Sequence, residues 1–162
     1  MSLIIENRNK METPRFLKRA IDDSVRDFTG LGNIILLSMI FSFFLQGRTL
    51  ALAIIFLVLT ELLCSVVKLV FFRARPVEME HKNLIEKIQS GSFPSAHSAA
   101  IIYFSLVAVN FTNSIFADIT ASFLIIFVGY SRHYLKKHFI SDILGGYAIG
   151  FAMFFVFFKF VL

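Results

Sequence analysis

Three short polar clusters interrupt an otherwise apolar chain, and their residue types suit phosphoryl chemistry. Lys68 is followed closely by Arg73 and Arg75, with Pro76 ending any helix that continued so far. Pro94, Ser95, Ala96 and His97 stand just ahead of an apolar run. A helix starting there presents unpaired backbone N–H groups and a positive dipole end, and a serine adds a hydroxyl donor, which makes an anion site. Ser131 and Arg132 come before His138 and Asp142, and the last two are four residues apart, a spacing that sets them on one helical face. Charges in or at the mouth of a bilayer are expensive, so their positions point to function. Cations converging with two histidines and an aspartate make a phosphoryl site.

Whether the clusters converge depends on the elements that carry them. With 57% hydrophobic residues, 17% charged residues and a mean hydropathy of +0.75, the chain needs lipid around it. A spanning helix takes roughly 20 apolar residues, so a chain of 162 residues holds five or six short spans at most and no separate soluble domain. Residues 1–12 read as a loose polar terminus without the pattern of a cleavable signal. Thr13 and Pro14 make a helix start, and Leu17, Ile21, Val25 and Phe28 recur at near-helical spacing among Lys18, Arg19, Asp22, Asp23 and Arg26. Residues 13–28 are therefore expected to form an amphipathic helix in the membrane interface, or one packed on the protein itself.

Apolar runs follow over 28–45 and 50–67, joined by a polar turn at Gln46, Gly47 and Arg48. The charged stretch 73–93 must leave the bilayer. A short third run, 99–111, breaks at Asn113 and Ser114, and a fourth, 115–130, starts near Asp118, which should reach water. After a basic patch at 132–138 a last run covers 141–162, where Gly145, Gly146 and Gly150 permit close helix packing. The expected fold is an all-α polytopic membrane helix bundle, one domain over 1–162, with about five transmembrane helices and the N-terminal interfacial amphipathic helix. Connected antiparallel helices alternate in direction, so the ends of spans two and four and the starts of spans three and five share one membrane face. That brings all three clusters together.

The remaining composition narrows the chemistry. The single cysteine, Cys64, excludes an internal disulfide and a cysteine metal cluster and reads as a packed core residue. Twenty-one Phe and no Trp leave the interfacial aromatic role to Tyr103, Tyr130, Tyr134 and Tyr147. A formal net charge of +5 fits contact with anionic headgroups or a phosphorylated substrate. A metal site is disfavoured, because carboxylates near the clusters are few and three cations would repel a divalent ion. The expected partners are the bilayer and a phosphorylated membrane lipid, with no nucleic acid and no cofactor.

Lys68 with six residues before Arg75-Pro76, then Pro94-Ser95-Ala96-His97, then Ser131-Arg132 with five residues before His138 and three more before Asp142, resembles the type 2 phosphatidic acid phosphatase family. The resemblance covers about half the chain, and three spaced elements in order are a specific signal. The soft departure is Ala96, where many members carry glycine. The family usually has six spans; here the interfacial helix would replace one at the N-terminal end. The resemblance implies a metal-independent membrane lipid phosphatase in which His138 attacks phosphorus to form a phosphohistidine and Asp142 holds its other ring nitrogen. His97 resembles the general acid that protonates the leaving oxygen and later activates water. Lys68, Arg75, Arg132, Ser95 and the backbone near Ala96 would clamp the phosphate oxygens.

His81 and His133 have no place in this pattern, and Glu61 takes no role. Arg73, Lys82, Lys87, Lys136 and Lys137 are read as snorkelling toward headgroups. Of the sixteen Lys and Arg residues, only Arg48 and Lys159 fall on the face opposite the site, which by the positive-inside rule makes the site face cytoplasmic. Bacterial relatives usually act on the outer leaflet of the inner membrane, and that periplasmic placement is the expectation adopted. Phosphatidylglycerophosphate, undecaprenyl diphosphate, phosphatidic acid and the 1-phosphate of lipid A all offer the anion such a site takes. The competing readings are a noncatalytic phospholipid binder or flippase, which intact His97, His138 and Asp142 oppose, and a vanadate-dependent haloperoxidase-like enzyme.

Overall fold

The computed structural model describes residues 31–76, 88 and 90–162, and the amphipathic helix expected over 13–28 lies outside them. Five α-helices follow one another among the described residues: α1 Leu31–Phe41, α2 Gly47–Val70, α3 Ala96–Thr112, α4 Ile115–Tyr134 and α5 Ile140–Val161. The expected all-α bundle is present. At about 1.5 Å rise per residue, α2, α4 and α5 run roughly 30 to 36 Å and match a hydrocarbon core of about 30 Å. These three are long and apolar enough to cross a membrane.

The breaks fall where local chemistry puts them. Gln46 stands in extended conformation before α2, and Gly47 opens that helix at φ +55°, a left-handed angle that suits glycine. Helix α2 starts three residues before the expected run and ends three residues after it, so Lys68 lies inside its last turn. Ser95 caps α3, and its hydroxyl oxygen accepts from the Ser98 amide at 3.4 Å. Asn113, at φ 47°, closes α3 in left-handed conformation. Asp118, one turn into α4, is exposed as expected.

The short third helix is the most enclosed. It packs against α2, α4 and α5, and eight of its seventeen residues are buried. A helix surrounded by protein need not match the bilayer, because its polar ends meet protein groups rather than lipid. Gly146 and Gly150 of α5 face α3 so closely that a Cβ on them would collide with the carbonyls of Ser95 and Ala99 respectively. The small-residue contact expected of α5 therefore joins α5 to α3.

Phenylalanine fills the core. Phe41, Phe104, Tyr103, Phe157 and Phe56 form a chain of ring contacts with centroids 5.0 to 6.3 Å apart, tying α1, α3, α5 and α2 together. The buried Tyr103 hydroxyl donates to the Ala53 carbonyl at 3.0 Å. Cys64 is fully buried, in keeping with a packing role. Large side chains such as Phe116, Phe123, Ile126 and Phe127 project outward from α4, and Leu62, Val66 and Val70 from α2, as a lipid-facing surface requires.

Candidate phosphoryl-transfer site

The last turn of α2, the cap of α3, the last turn of α4 and the start of α5 meet at one end of the bundle. Lys68 is 7% exposed, and a Cβ at Gly91 would touch its Cβ and Cγ at 3.4 Å, so the segment before α3 lies against the lysine stem. Ser92, Pro94 and Ser95 are fully buried. The Ser92 amide donates to the Arg73 carbonyl at 2.8 Å and the Ser92 hydroxyl to the Ala74 carbonyl at 3.0 Å, joining the two ends of the connection between α2 and α3. Asp142 connects α3 to α5, because its carbonyl accepts from the Ser95 amide at 2.9 Å. That amide is thereby used within the fold. The Ser95 oxygen accepts from the Ser98 hydroxyl at 2.9 Å.

His138 is 3% exposed and lies in the connection between α4 and α5, where its amide reaches back to the Arg132 carbonyl at 3.3 Å. Its Nδ1 atom is 2.7 Å from the Ser92 carbonyl, an acceptor only, so Nδ1 carries the proton and Nε2 keeps the lone pair. Burial pushes the ring down to about 3, the charges of Arg75, Lys68 and His97 adding to this and the Ser92 carbonyl opposing it. A neutral imidazole with Nε2 unprotonated is the nucleophilic form. The same three residues, expected from the sequence to converge on His138, thus act on it electrostatically.

The expected contact between Asp142 and the ring nitrogen of His138 is corrected. The shortest approach is 3.9 Å, close enough for charge to act but too long for a hydrogen bond. The family resemblance implied the contact and a spacing of four permitted it, yet α5 begins at Ile140 and Phe139 is extended, so His138 is outside the helix and the one-face argument does not apply. Asp142 Oδ2 instead accepts from the Phe139 amide at 2.8 Å, capping the start of α5.

Arg73 is likewise corrected. Rather than snorkelling, it places Nη1 2.9 Å from Asp142 Oδ1 and 2.7 Å from the Ser141 hydroxyl, with its guanidinium carbon 4.1 Å above the Phe139 ring. No sequence signal marks it, because its partners lie 68 and 69 residues away in the chain.

Arg75 is half-buried, and burial draws its guanidinium below the ordinary value while Asp142 opposes this. Arg75 and Arg132 are near enough to repel each other, and the Nε atom of Arg132 is buried with no hydrogen-bond partner among the described residues. Close cations with an orphaned donor are what an anion would satisfy. Ala96 and His97 are half-buried in the first turn of α3. Glu61, half-buried two turns before Lys68 on the same face of α2, and Asp142 both exert their charges on that lysine. His133 and Lys136 are exposed, while His81, Lys82 and Lys87 lie outside the described residues.

Known proteins resemble this chain in sequence family and in fold. A model of the PAP2 superfamily matches residues 46–162. Phosphatidylglycerophosphatase B of Bacillus subtilis (strain 168) is 37% identical over an alignment of 76 residues that covers 41% of this chain and 37% of that protein. The matched part thus spans little more than a third of that relative's length. The crystal structure of the first transmembrane PAP2 type phosphatidylglycerolphosphate phosphatase from Bacillus subtilis superposes with a TM-score of 0.61 at 23% identity, covering 92% of this chain and 78% of that one. At that identity the likeness is one of fold.

Proposed function

The chain belongs to the PAP2 superfamily, and on that premise we propose that it is a metal-independent membrane lipid phosphatase using His138 as nucleophile and His97 as acid and base. The observation that carries the reading is the His138 ring, held neutral beside Lys68 and Arg75 with Nδ1 engaged by the Ser92 carbonyl. Nε2 attacks phosphorus as the ester P–O bond breaks, and the leaving oxygen takes a proton from His97. Water then attacks the phosphohistidine, giving its proton to His97, and inorganic phosphate departs as the N–P bond breaks. Lys68, Arg75 and Arg132 stabilise the charge on the transferring oxygens, with the Ser95 hydroxyl and the α3 amides as further donors.

Phosphatidylglycerophosphate stands first among the substrates, since the relatives named above act on it; undecaprenyl diphosphate, phosphatidic acid and the 1-phosphate of lipid A present similar anions. We place the site on the outer face of a bacterial inner membrane. Several of the cations at that end are engaged in the site, Lys68 by burial and Arg73 by Asp142, so they are poor guides to orientation. Labelling of an Arg48→Cys variant in intact spheroplasts by a membrane-impermeant maleimide tests this: protection is expected, and labelling reverses the orientation.

The activity is tested by phosphate release from the detergent-purified protein, with EDTA present, across those four lipids and one water-soluble ester. Release from one lipid well above the others is expected, with complete loss in His138→Ala. A fully active His138→Ala variant would overturn the mechanism, and no release from any substrate would favour a phospholipid binder or flippase.

A further inference from the structure

We propose that Arg73 is a positioning residue for phosphoryl transfer, fixing His138 from two sides by its main chain and its side chain; the proposal rests on the phosphatase reading above. On one side, the Arg73 carbonyl holds the Ser92 amide at 2.8 Å, and the Ser92 carbonyl holds His138 Nδ1 at 2.7 Å. On the other, the guanidinium binds Asp142 at 2.9 Å and Ser141 at 2.7 Å and lies 4.1 Å over Phe139. Phe139, Ser141 and Asp142 form the start of α5, immediately after His138. One residue therefore joins the segment before α3, which orients the ring, to the helix start that follows the ring in the chain.

The charges make this more than a structural tie. Asp142 is fully buried, and a buried carboxylate needs a counter-charge. Arg73 supplies it at hydrogen-bond distance, while Asp142 Oδ2 is 3.9 Å from His138 Nδ1. With the guanidinium removed, the uncompensated carboxylate would compete with the Ser92 carbonyl for the Nδ1 proton and favour protonation of a ring that burial first, and then the charges of Arg75, Lys68 and His97, now hold neutral. Lysine cannot substitute fully, because a point charge lacks the planar fork that meets Ser141 and Asp142 together while stacking on Phe139.

The test combines turnover with an activity-independent probe of the ring. Arg73→Ala, Arg73→Lys, Asp142→Asn and the Arg73→Ala/Asp142→Asn pair are assayed on the best lipid of the panel, and ¹⁵N-histidine NMR reports the state of His138. Arg73→Ala is expected to lower kcat about 10- to 100-fold with KM little changed, the range for a small misplacement of reacting groups. Added guanidinium should restore part of that loss, Arg73→Lys should fall between, and the pair should lose no more than Asp142→Asn alone. The His138 signals should move from the Nδ1–H tautomer in Arg73→Ala. A raised KM at unchanged kcat, or losses that multiply in the pair, would mean that Arg73 binds substrate and would overturn the proposal. Should Arg73→Ala not fold, Arg73→Lys carries the test, and wild-type kcat in it would overturn the proposal. Absence of wild-type phosphate release defeats the phosphatase reading alone; unaltered His138 signals in the folded Arg73 variants defeat the positioning role whatever the activity.

Discussion

His138 turns its Nδ1 atom to the carbonyl of Ser92 at 2.7 Å, a residue 46 positions earlier in the chain. A main-chain acceptor cannot be removed by side-chain substitution, so the tautomer of the ring depends on the path of the segment before α3. Asp142 acts on that path indirectly, through the Ser95 amide, the Phe139 amide and Arg73.

Substitution of Asp142 should consequently affect folding as well as turnover. Asp142→Asn keeps an acceptor for the Phe139 amide and should cost about 1–2 kcal/mol, whereas Asp142→Ala also leaves that amide unsatisfied and should cost about 2–4 kcal/mol. Thermal unfolding in detergent checks the order, and an Asn variant less stable than the Ala variant contradicts it.

The His138 ring should not titrate in the range where a free histidine does. Its folded value is pushed down to about 3 from an ordinary 6.5, so between those limits the unfolded chain binds the extra proton. Stability from this group is thus complete above about pH 6.5, falls as the pH drops toward 3 and then levels off. A ¹⁵N titration of His138 with a midpoint near 6.5 would contradict this.

At the α3–α5 contact, Gly146→Ala and Gly150→Ala should each destabilise by about 1–3 kcal/mol, because the added methyl meets backbone carbonyls that cannot move aside. Gly145→Ala meets the ring of Phe93 at 2.5 Å, a side chain able to rotate, and should be milder. Gly146→Ala should also depress kcat, since the atom it displaces is the carbonyl of the capping Ser95. Melting temperatures and turnover of the three variants give the comparison.

Arg132→Lys should retain the fold and lose roughly tenfold or more in affinity for inorganic phosphate or vanadate, because a guanidinium grips a tetrahedral anion by a fork that an ammonium lacks. Competitive inhibition constants measure this, and equal constants for both proteins would remove Arg132 from the anion site.

What the sequence by itself determined was set by short-range physics. Uninterrupted apolar runs must enter lipid, Ser95 starts and Asn113 ends a helix by their own side-chain and backbone preferences, and helices that alternate in direction bring Lys68, His97, Arg132 and His138 to one end. The same local reasoning failed to place His138 and Asp142 on one helical face, because a spacing of four does so only within a helix, and α5 starts two residues after His138. Nor could it assign Arg73, whose partners Asp142 and Ser141 lie 69 and 68 residues away, or Ser92, whose carbonyl has no sequence signature. Those contacts arise from the path of two inter-helix segments over the bundle end. Only the packed tertiary structure decides that path, because it must satisfy buried amides, a buried carboxylate and a buried imidazole together.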